Sequence, residues 1–396
     1  REFDTALEAS TALETRMADS PVPFNLTGLA YLAQRDFDAA AERFEKALEI
    51  DPDFLVARMN LARLALVAQR PDQAEQAYRA VLEADPRHLG AMLGLAELAR
   101  ARGDAAGTEE WLVEANRANP AELRPILALA EMHLRRSEGL KAATILSSIP
   151  PEQADLPAVL RLRGMAQLQS GDYASAVFTL TKLTEAQPDN IEGWFQLARA
   201  HAAAGDNARS RESFEKATGL DPDHRVPVVW IGLGELELRD RRYDAALAVA
   251  QRIREHFPGN VAAYDIASAA HRGKGDAKRA LAADEAALQL DRSSARINRL
   301  ARTLAGSGAG GRAVAILEEW LVEQPGDGPG WANLAMIRQQ LGRADEALDA
   351  YERAVPLVDP NPVLLNNMAW LYLDRDGERA VELATEAYQL APSRAE

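Results

Sequence analysis

Apolar residues recur along this chain at the three-to-four-residue spacing of helices that bury one face, and no segment alternates as a half-buried strand would. Two slots hold only small residues. One contains Gly28, Ala62, Ala96, Ala130, Gly164, Ala198, Gly234, Ser268, Ala301, Ala335 and Ala369; the other contains Ala40, Ala74, Thr108, Ala142, Ala176, Ser210, Ala246, Ala280, Ala313, Ala347 and Ala380. Small residues fixed at one place on each of two helices let the axes approach closely while larger side chains fill the flanks. Large apolar residues in the second helix, Phe44, Tyr78, Leu112, Leu146, Leu180, Phe214, Leu317 and Tyr351, are placed to cover those slots. Between the two helices lies a short turn, such as Gly103-Asp104, Gly171-Asp172, Gly205-Asp206 and Gly275-Asp276. Gly accepts the left-handed conformation that ends one helix, and Asp caps the start of the next. A proline then stops the second helix, at Pro52, Pro86, Pro120, Pro188, Pro222, Pro258, Pro325, Pro360 and Pro392, mostly one or two units of about 34 residues apart. Ala154 and Arg292 stand in its place in the two doubled gaps. The pattern predicts an all-α fold of one helical hairpin stacked many times.

Trp or Leu, then Leu-Gly/Ala, Tyr, Ala, Phe/Tyr, Ala and Pro at this period resembles the tetratricopeptide repeat, with Trp194-Phe195-Gln196-Leu197-Ala198 and Trp331-Ala332-Asn333-Leu334-Ala335 carrying it well. The resemblance covers essentially the whole chain and implies a right-handed superhelix, an α-solenoid. Eleven repeats are expected across 21–396, starting near 21, 55, 89, 123, 157, 191, 227, 261, 294, 328 and 361. Residues 1–20 read as the second helix of a truncated preceding repeat, with Phe3, Asp4 and Ala6 matching Tyr243, Asp244 and Ala246. The Arg-rich style and the closing Leu365-Asn366-Asn367-Met368-Ala369-Trp370-Leu371-Tyr372 are similar to bacterial envelope lipoproteins of the PEP-CTERM/exosortase sorting system, found with exopolysaccharide genes. That resemblance implies a periplasmic or outer-membrane-associated protein, the alternative being a cytoplasmic one. Its members carry a lipidated Cys near the N-terminus, and this chain has no Cys.

Composition narrows the function. The 396 residues suggest two or three globular domains by length, but the repeat makes them one quasi-one-dimensional array. A net charge of −15 excludes a generic binder of nucleic acid or anionic membrane, which needs a positive footprint. The best apolar run, Val226 to Gly234, is too short to span a bilayer. The opening Arg1-Glu2-Phe3 has neither an initiator Met nor a signal segment, so the chain reads as a piece of something longer, and its uncapped ends suggest end-to-end self-association or further protein.

Candidate chemistry is sparse. Gly306, Gly308 and Gly311 spell a GxGxxG, but a helix precedes it where a nucleotide fold needs a strand. His133, His201 and His271 share the slot of Tyr31 and Tyr372, so the repeat scatters them; His88 and His224 share a loop slot, and His256 stands near a helix end. None has the i, i+4 partner of a helical metal site. Asp374-Arg375-Asp376-Gly377 brings its Gly too early for a calcium loop. No cofactor, metal or catalytic site is expected, and the protein reads as a non-enzyme. The eighth and ninth repeats depart most from the pattern: Asp284 replaces the bulky residue, Arg292 the proline, and Gly306–Gly311 loosens the turn, which predicts a local soft spot across 265–315 or a change of superhelical pitch.

In tetratricopeptide arrays the first helix of each hairpin lines a concave groove that holds an extended or helical peptide. By that resemblance the groove here carries Asn60, Arg63, Arg161, Phe195, Arg199, Arg239, Asn298, Arg299, Arg302, Asn333, Met336, Asn366 and Trp370. Over all its slots, ten Arg face six acids. Arg forks pair with carboxylates and Asn holds peptide backbone, so the expected partner is a protein or peptide, acidic or C-terminal, with Phe195, Met336 and Trp370 as apolar anchors. Arg199, Arg239, Arg299 and Arg302 are the foremost candidates, unless pairing with neighbouring Glu97, Glu131 and Glu235 consumes such arginines. The reading is a non-catalytic scaffold in exopolysaccharide secretion or protein sorting, the alternative a substrate-recruiting or regulatory arm of a larger enzyme.

Overall fold

The computed structural model describes residues 2–221 and 225–392, with side chains from Thr5 onward, so Pro222, His224 and the side chains of Phe3 and Asp4 lie outside the described residues. The chain divides into two compact units, Arg1–Pro188 and Asp189–Glu396. Unit 1 opens with α1 (Glu2–Arg16) and continues as five hairpins: α2 (Pro21–Ala33) with α3 (Phe37–Ile50), α4 (Leu55–Val67) with α5 (Pro71–Ala84), α6 (Leu89–Ala101) with α7 (Ala105–Ala118), α8 (Leu123–Arg135) with α9 (Gly139–Leu146), and α10 (Pro157–Ser170) with α11 (Tyr173–Ala186). Unit 2 holds six: α12 (Ile191–Ala203) with α13 (Asn207–Gly219), α14 (Pro227–Arg239) with α15 (Tyr243–His256), α16 (Ala262–Gly273) with α17 (Ala277–Leu290), α18 (Ser294–Gly306) with α19 (Gly310–Glu323), α20 (Gly328–Gln340) with α21 (Ala344–Ala354), and α22 (Pro362–Tyr372) with α23 (Gly377–Leu390). Among the described residues there is no strand.

The turns follow from backbone chemistry. Asp36, Asp104, Asp172, Asp206, Asp276 and Asp376 each accept the amide three residues on, at 2.9–3.2 Å, satisfying an N–H that the helix cannot. One residue per turn is left-handed in the first ten hairpins: Arg35, Gln69, Gly103, Ser137, Gly171, Gly205, Arg241, Gly275, Gly308 and Gly342. Glycine suits that conformation and the other four residues tolerate it at a cost. The second helices stop short of their prolines because the preceding residue is extended, as at Asp51 (φ −137°) and Asp85 (φ −131°).

The bulky residues of the second helices act as plugs. Phe44, Leu146, Leu180, Leu317 and Tyr351 are fully buried and Tyr78, Leu112 and Phe214 nearly so. Each fits where a small residue leaves room: a Cβ added at Gly28 would stand 2.5 Å from Phe44 of the same hairpin, and one at Gly94 2.4 Å from Tyr78 of the preceding hairpin. A plug thus ties its own first helix to the next one.

Three second helices lack a plug. At Ala250 the gap is filled from the following helix, where Ile266 reaches to within 2.7 Å of the Cβ position of Gly234. At Asp284 the slot is a polar node: its buried carboxylate accepts from Ser268 Oγ (2.6 Å), Arg272 Nη1 (2.9 Å) and Thr303 Oγ1 (3.1 Å), and Arg299 Nε stands 3.1 Å away. The slot read as weak is therefore occupied by a network joining α16, α17 and α18, and most of the glycine run is absorbed into the ends of α18 and α19, leaving a three-residue turn. The third, Ala384, is an exposed residue of the last hairpin.

Ahead of α14, where the repeat starts expected near 191 and 227 lie farther apart than the usual spacing, one carboxylate holds the backbone. Asp221, buried, accepts the amides of Arg225 and Val226, each at 2.8 Å.

Candidate functional site: the first-helix faces

Charge separates by helix. In unit 1 the first helices carry seven Arg against two acids, a net +5, and the second helices, α1 apart, a net −5. In unit 2 the corresponding values are +3 and −6.

The arginines divide into paired and unpaired sets. Arg161 donates to Glu131 (2.7 Å), Arg100 is paired with Glu97, Arg272 with Asp284 (2.9 Å), and Arg299 with both Asp265 and Asp284. Arg58 and Arg163 are spent on backbone carbonyls. Arg63, Arg124 and Arg135 in unit 1, and Arg199, Arg239 and Arg302 in unit 2, are exposed and form no ion pair among the described residues. Of the four foremost candidates, Arg299 is therefore consumed by pairing and the other three are not. Both first-helix acids of unit 1, Glu97 and Glu131, are already neutralised by arginine, whereas Glu192, Glu235 and Asp374 of unit 2 are not ion-paired among the described residues. The unopposed positive charge belongs to unit 1.

The asparagines behave differently from expectation. Asn60 donates to Asn25 (2.8 Å), and Asn333 to Asn298 Oδ1 (3.1 Å), while Asn298 itself donates to the Ser294 carbonyl (2.9 Å). All four are buried bridges between successive first helices, so Asn60, Asn298 and Asn333 do not present their amides to a partner. A buried amide must find a partner within the protein, and another Asn one repeat away supplies it. Asn366 is exposed on α22 beside Trp370.

The apolar anchors are partly available. Phe195 meets Phe214 edge to face (6.1 Å) and lies under Arg199 (5.8 Å), whose Nη1 donates to Gln196 (3.0 Å). Met336 and Trp370 are exposed. The charge pattern missed a cleft of about 580 Å³ in unit 2, between α19, α20 and α21, walled by Leu321, Trp331 and Arg338. Arg338 occupies the Tyr31 slot and donates to Glu318 (2.6 Å), and Arg353 stacks over Trp331 (4.8 Å). The slot itself carried no signal, since it also holds Ala65, Gln167, Glu237 and Leu304.

The histidines serve the fold. His133, buried, donates from Nδ1 to Glu138 (2.6 Å), which with Lys141 holds the Glu138 carboxyl below its usual range. Burial pushes the His201 imidazole down. Among the described residues no three His, Asp or Glu converge as metal ligands, and no helix is long and apolar enough to cross a membrane.

Three segments, 31–98, 161–225 and 329–356, match tetratricopeptide repeat family models. Among curated proteins the chain is 38% identical over 73 residues to Protein CTR9 homolog of Arabidopsis thaliana, and 36% identical over 78 residues to the cytochrome c-type biogenesis protein CycH of Rhizobium meliloti (strain 1021). These matches take in 18% and 20% of this chain but only 6% and 20% of the relatives' own lengths. A solved tetratricopeptide repeat protein from Parabacteroides merdae ATCC 43184 aligns with 63% of this chain and 98% of its own, at 15% identity and a TM-score of 0.50.

Proposed function

We propose, from the premise that this chain is built of tetratricopeptide repeats, that all eleven hairpins are such repeats, that 1–20 is the second helix of a preceding one, and that the protein is a non-catalytic interaction scaffold holding an acidic polypeptide segment on the first-helix face of unit 1. One observation carries the reading: the first helices of unit 1 hold a net +5 with both of their acids neutralised, leaving Arg63, Arg124 and Arg135 exposed without an ion pair among the described residues. Arginine left unpaired beside a surplus of its own charge favours an incoming carboxylate, and it steers association as well as holding the complex. Unit 2 offers a second, less polarised contact through Phe195, Arg199, Arg239, Arg302 and Met336.

The setting in this reading is the bacterial envelope, in exopolysaccharide secretion or protein sorting, supported by the resemblance of 365–372. The match to a protein whose name gives cytochrome c-type biogenesis favours work on the assembly of another protein. Cell fractionation of the native protein tests the setting; recovery in the cytoplasm would favour the recruiting arm of a larger enzyme.

Binding is tested with a fluorescein-labelled Glu/Asp-rich peptide and the double variant Arg63→Glu, Arg135→Glu. The expected result is at least a tenfold loss of affinity and a shallower salt dependence, with a smaller loss for Arg199→Glu, Arg302→Glu. Unchanged affinity in the unit 1 variant would sink the proposal.

A further inference from the structure

The cleft of about 580 Å³ between α19, α20 and α21 holds two charges that the fold does not use. On α20 its wall is Trp331, Leu334 and Arg338, and the groove residues Asn333 and Met336 take no part in it. Arg338 is spent on the protein: it donates to Glu318 (2.6 Å) and to the Glu346 carbonyl (3.1 Å), while the Glu346 carboxylate lies 3.5 Å from Arg338 and 3.7 Å from Arg343. Two turns away Trp331 is fixed by donation to the Pro325 carbonyl (2.9 Å), and the Arg353 guanidinium lies over its ring at 4.8 Å. That contact positions the guanidinium and leaves its N–H donors for something else. Arg353, and Asp349 one turn before it on α21, both line the cleft, are exposed and form no ion pair among the described residues.

We infer that this cleft binds a free dipeptide with aliphatic side chains, its carboxylate on Arg353, its ammonium on Asp349 and its side chains against Leu321, Val322 and Leu334. The volume falls within the roughly 300–1,000 Å³ of small-molecule sites. Charge sets the termini: a free guanidinium takes a carboxylate by two parallel hydrogen bonds, and a free carboxylate takes an ammonium. Spacing sets the length. Asp349 and Arg353 are four residues apart, about 6 Å along the helix axis, and an extended dipeptide spans about 7 Å. A single amino acid carries both charges on one carbon and leaves most of the cleft empty, and the end of a protein partner brings only one of the two charges. Because Arg353 is already held on Trp331, less ordering is left for the ligand to impose. The inference does not rest on the unit 1 site, which calls for an acidic polypeptide on other helices.

The probe is leucyl-leucine, titrated into the full 396-residue chain by isothermal calorimetry beside its N-acetylated, C-amidated and doubly capped forms and free leucine. Each single cap should weaken binding about tenfold, the equivalent of one lost charge-assisted contact. Arg353→Gln should weaken leucyl-leucine by the same factor while leaving the C-amidated form unchanged. Asp349→Asn should do likewise with the N-acetylated form. Both substitutions are at exposed positions, so the Tm should hold, and a merely structural effect would weaken capped and free peptides alike. Arg63→Glu, Arg135→Glu should leave leucyl-leucine unaffected, which separates the two sites. No binding of leucyl-leucine at about 1 mM would overturn the inference. So would equal affinity for the doubly capped form, since the charges would then go unread, or for free leucine, since the ligand would then be a single amino acid.

Discussion

At the scale of single residues, polar groups inside this protein are there because a neighbour one repeat away completes them. Asp284 sits where most hairpins place a hydrocarbon, and it is tolerated because two guanidiniums and two hydroxyls converge on it. Asp284→Ala is expected to destabilise by about 2 kcal/mol, below the cost of breaking a fully buried pair, because Arg272 and Arg299 can turn to water; urea denaturation read by circular dichroism measures it. His201 gives a pH dependence of known sign. Its folded pKa lies below the unfolded 6.5 because burial disfavours the cation, so the unfolded chain binds the extra proton. Stability is held above pH 6.5 and falls as the pH drops through and below it. His201→Tyr, the residue this slot carries at Tyr31, should flatten the Tm difference between pH 7.5 and 5.5.

At the scale of elements, the helical hairpin, its turn and its plug were legible because each rests on a local rule that recurs at every period. Phe44→Ala should cost about 3–5 kcal/mol, the usual penalty for deleting a buried aromatic, because Gly28 leaves a void that nothing nearby can fill. The candidate site was half legible. Arg positions on the first helices were readable from slot arithmetic, but whether an arginine is free depends on a carboxylate about 30 residues away, as at Arg161 with Glu131. Arg299 lost its candidacy through the same Asp284 that looked like a packing defect. The asparagines misled for a related reason: an amide at a helical slot reads identically whether it faces a partner or another asparagine, and Asn25–Asn60 and Asn298–Asn333 chose each other. The division at Pro188 was not legible, since the small slots continue through it without a break.

For the whole molecule, two compact units mean that a single unfolding free energy does not describe the chain. Scanning calorimetry should resolve more than one transition. Phe44→Ala should lower one of them, and Asp284→Ala a different one, because an array couples only nearest neighbours; a common shift of a single transition in both variants would show the units unfolding together. The left-handed turn residues carry a further consequence. Arg35, Gln69, Ser137 and Arg241 hold a conformation that costs an L-residue about 1–2 kcal/mol, of which glycine's greater unfolded-state freedom would return only part. Each change to Gly should gain about 0.5–1 kcal/mol, and because the four sites lie in separate hairpins the gains should add. The repeat thus carries its own recipe for a hardier variant, spelled out by the sister turns that already use glycine.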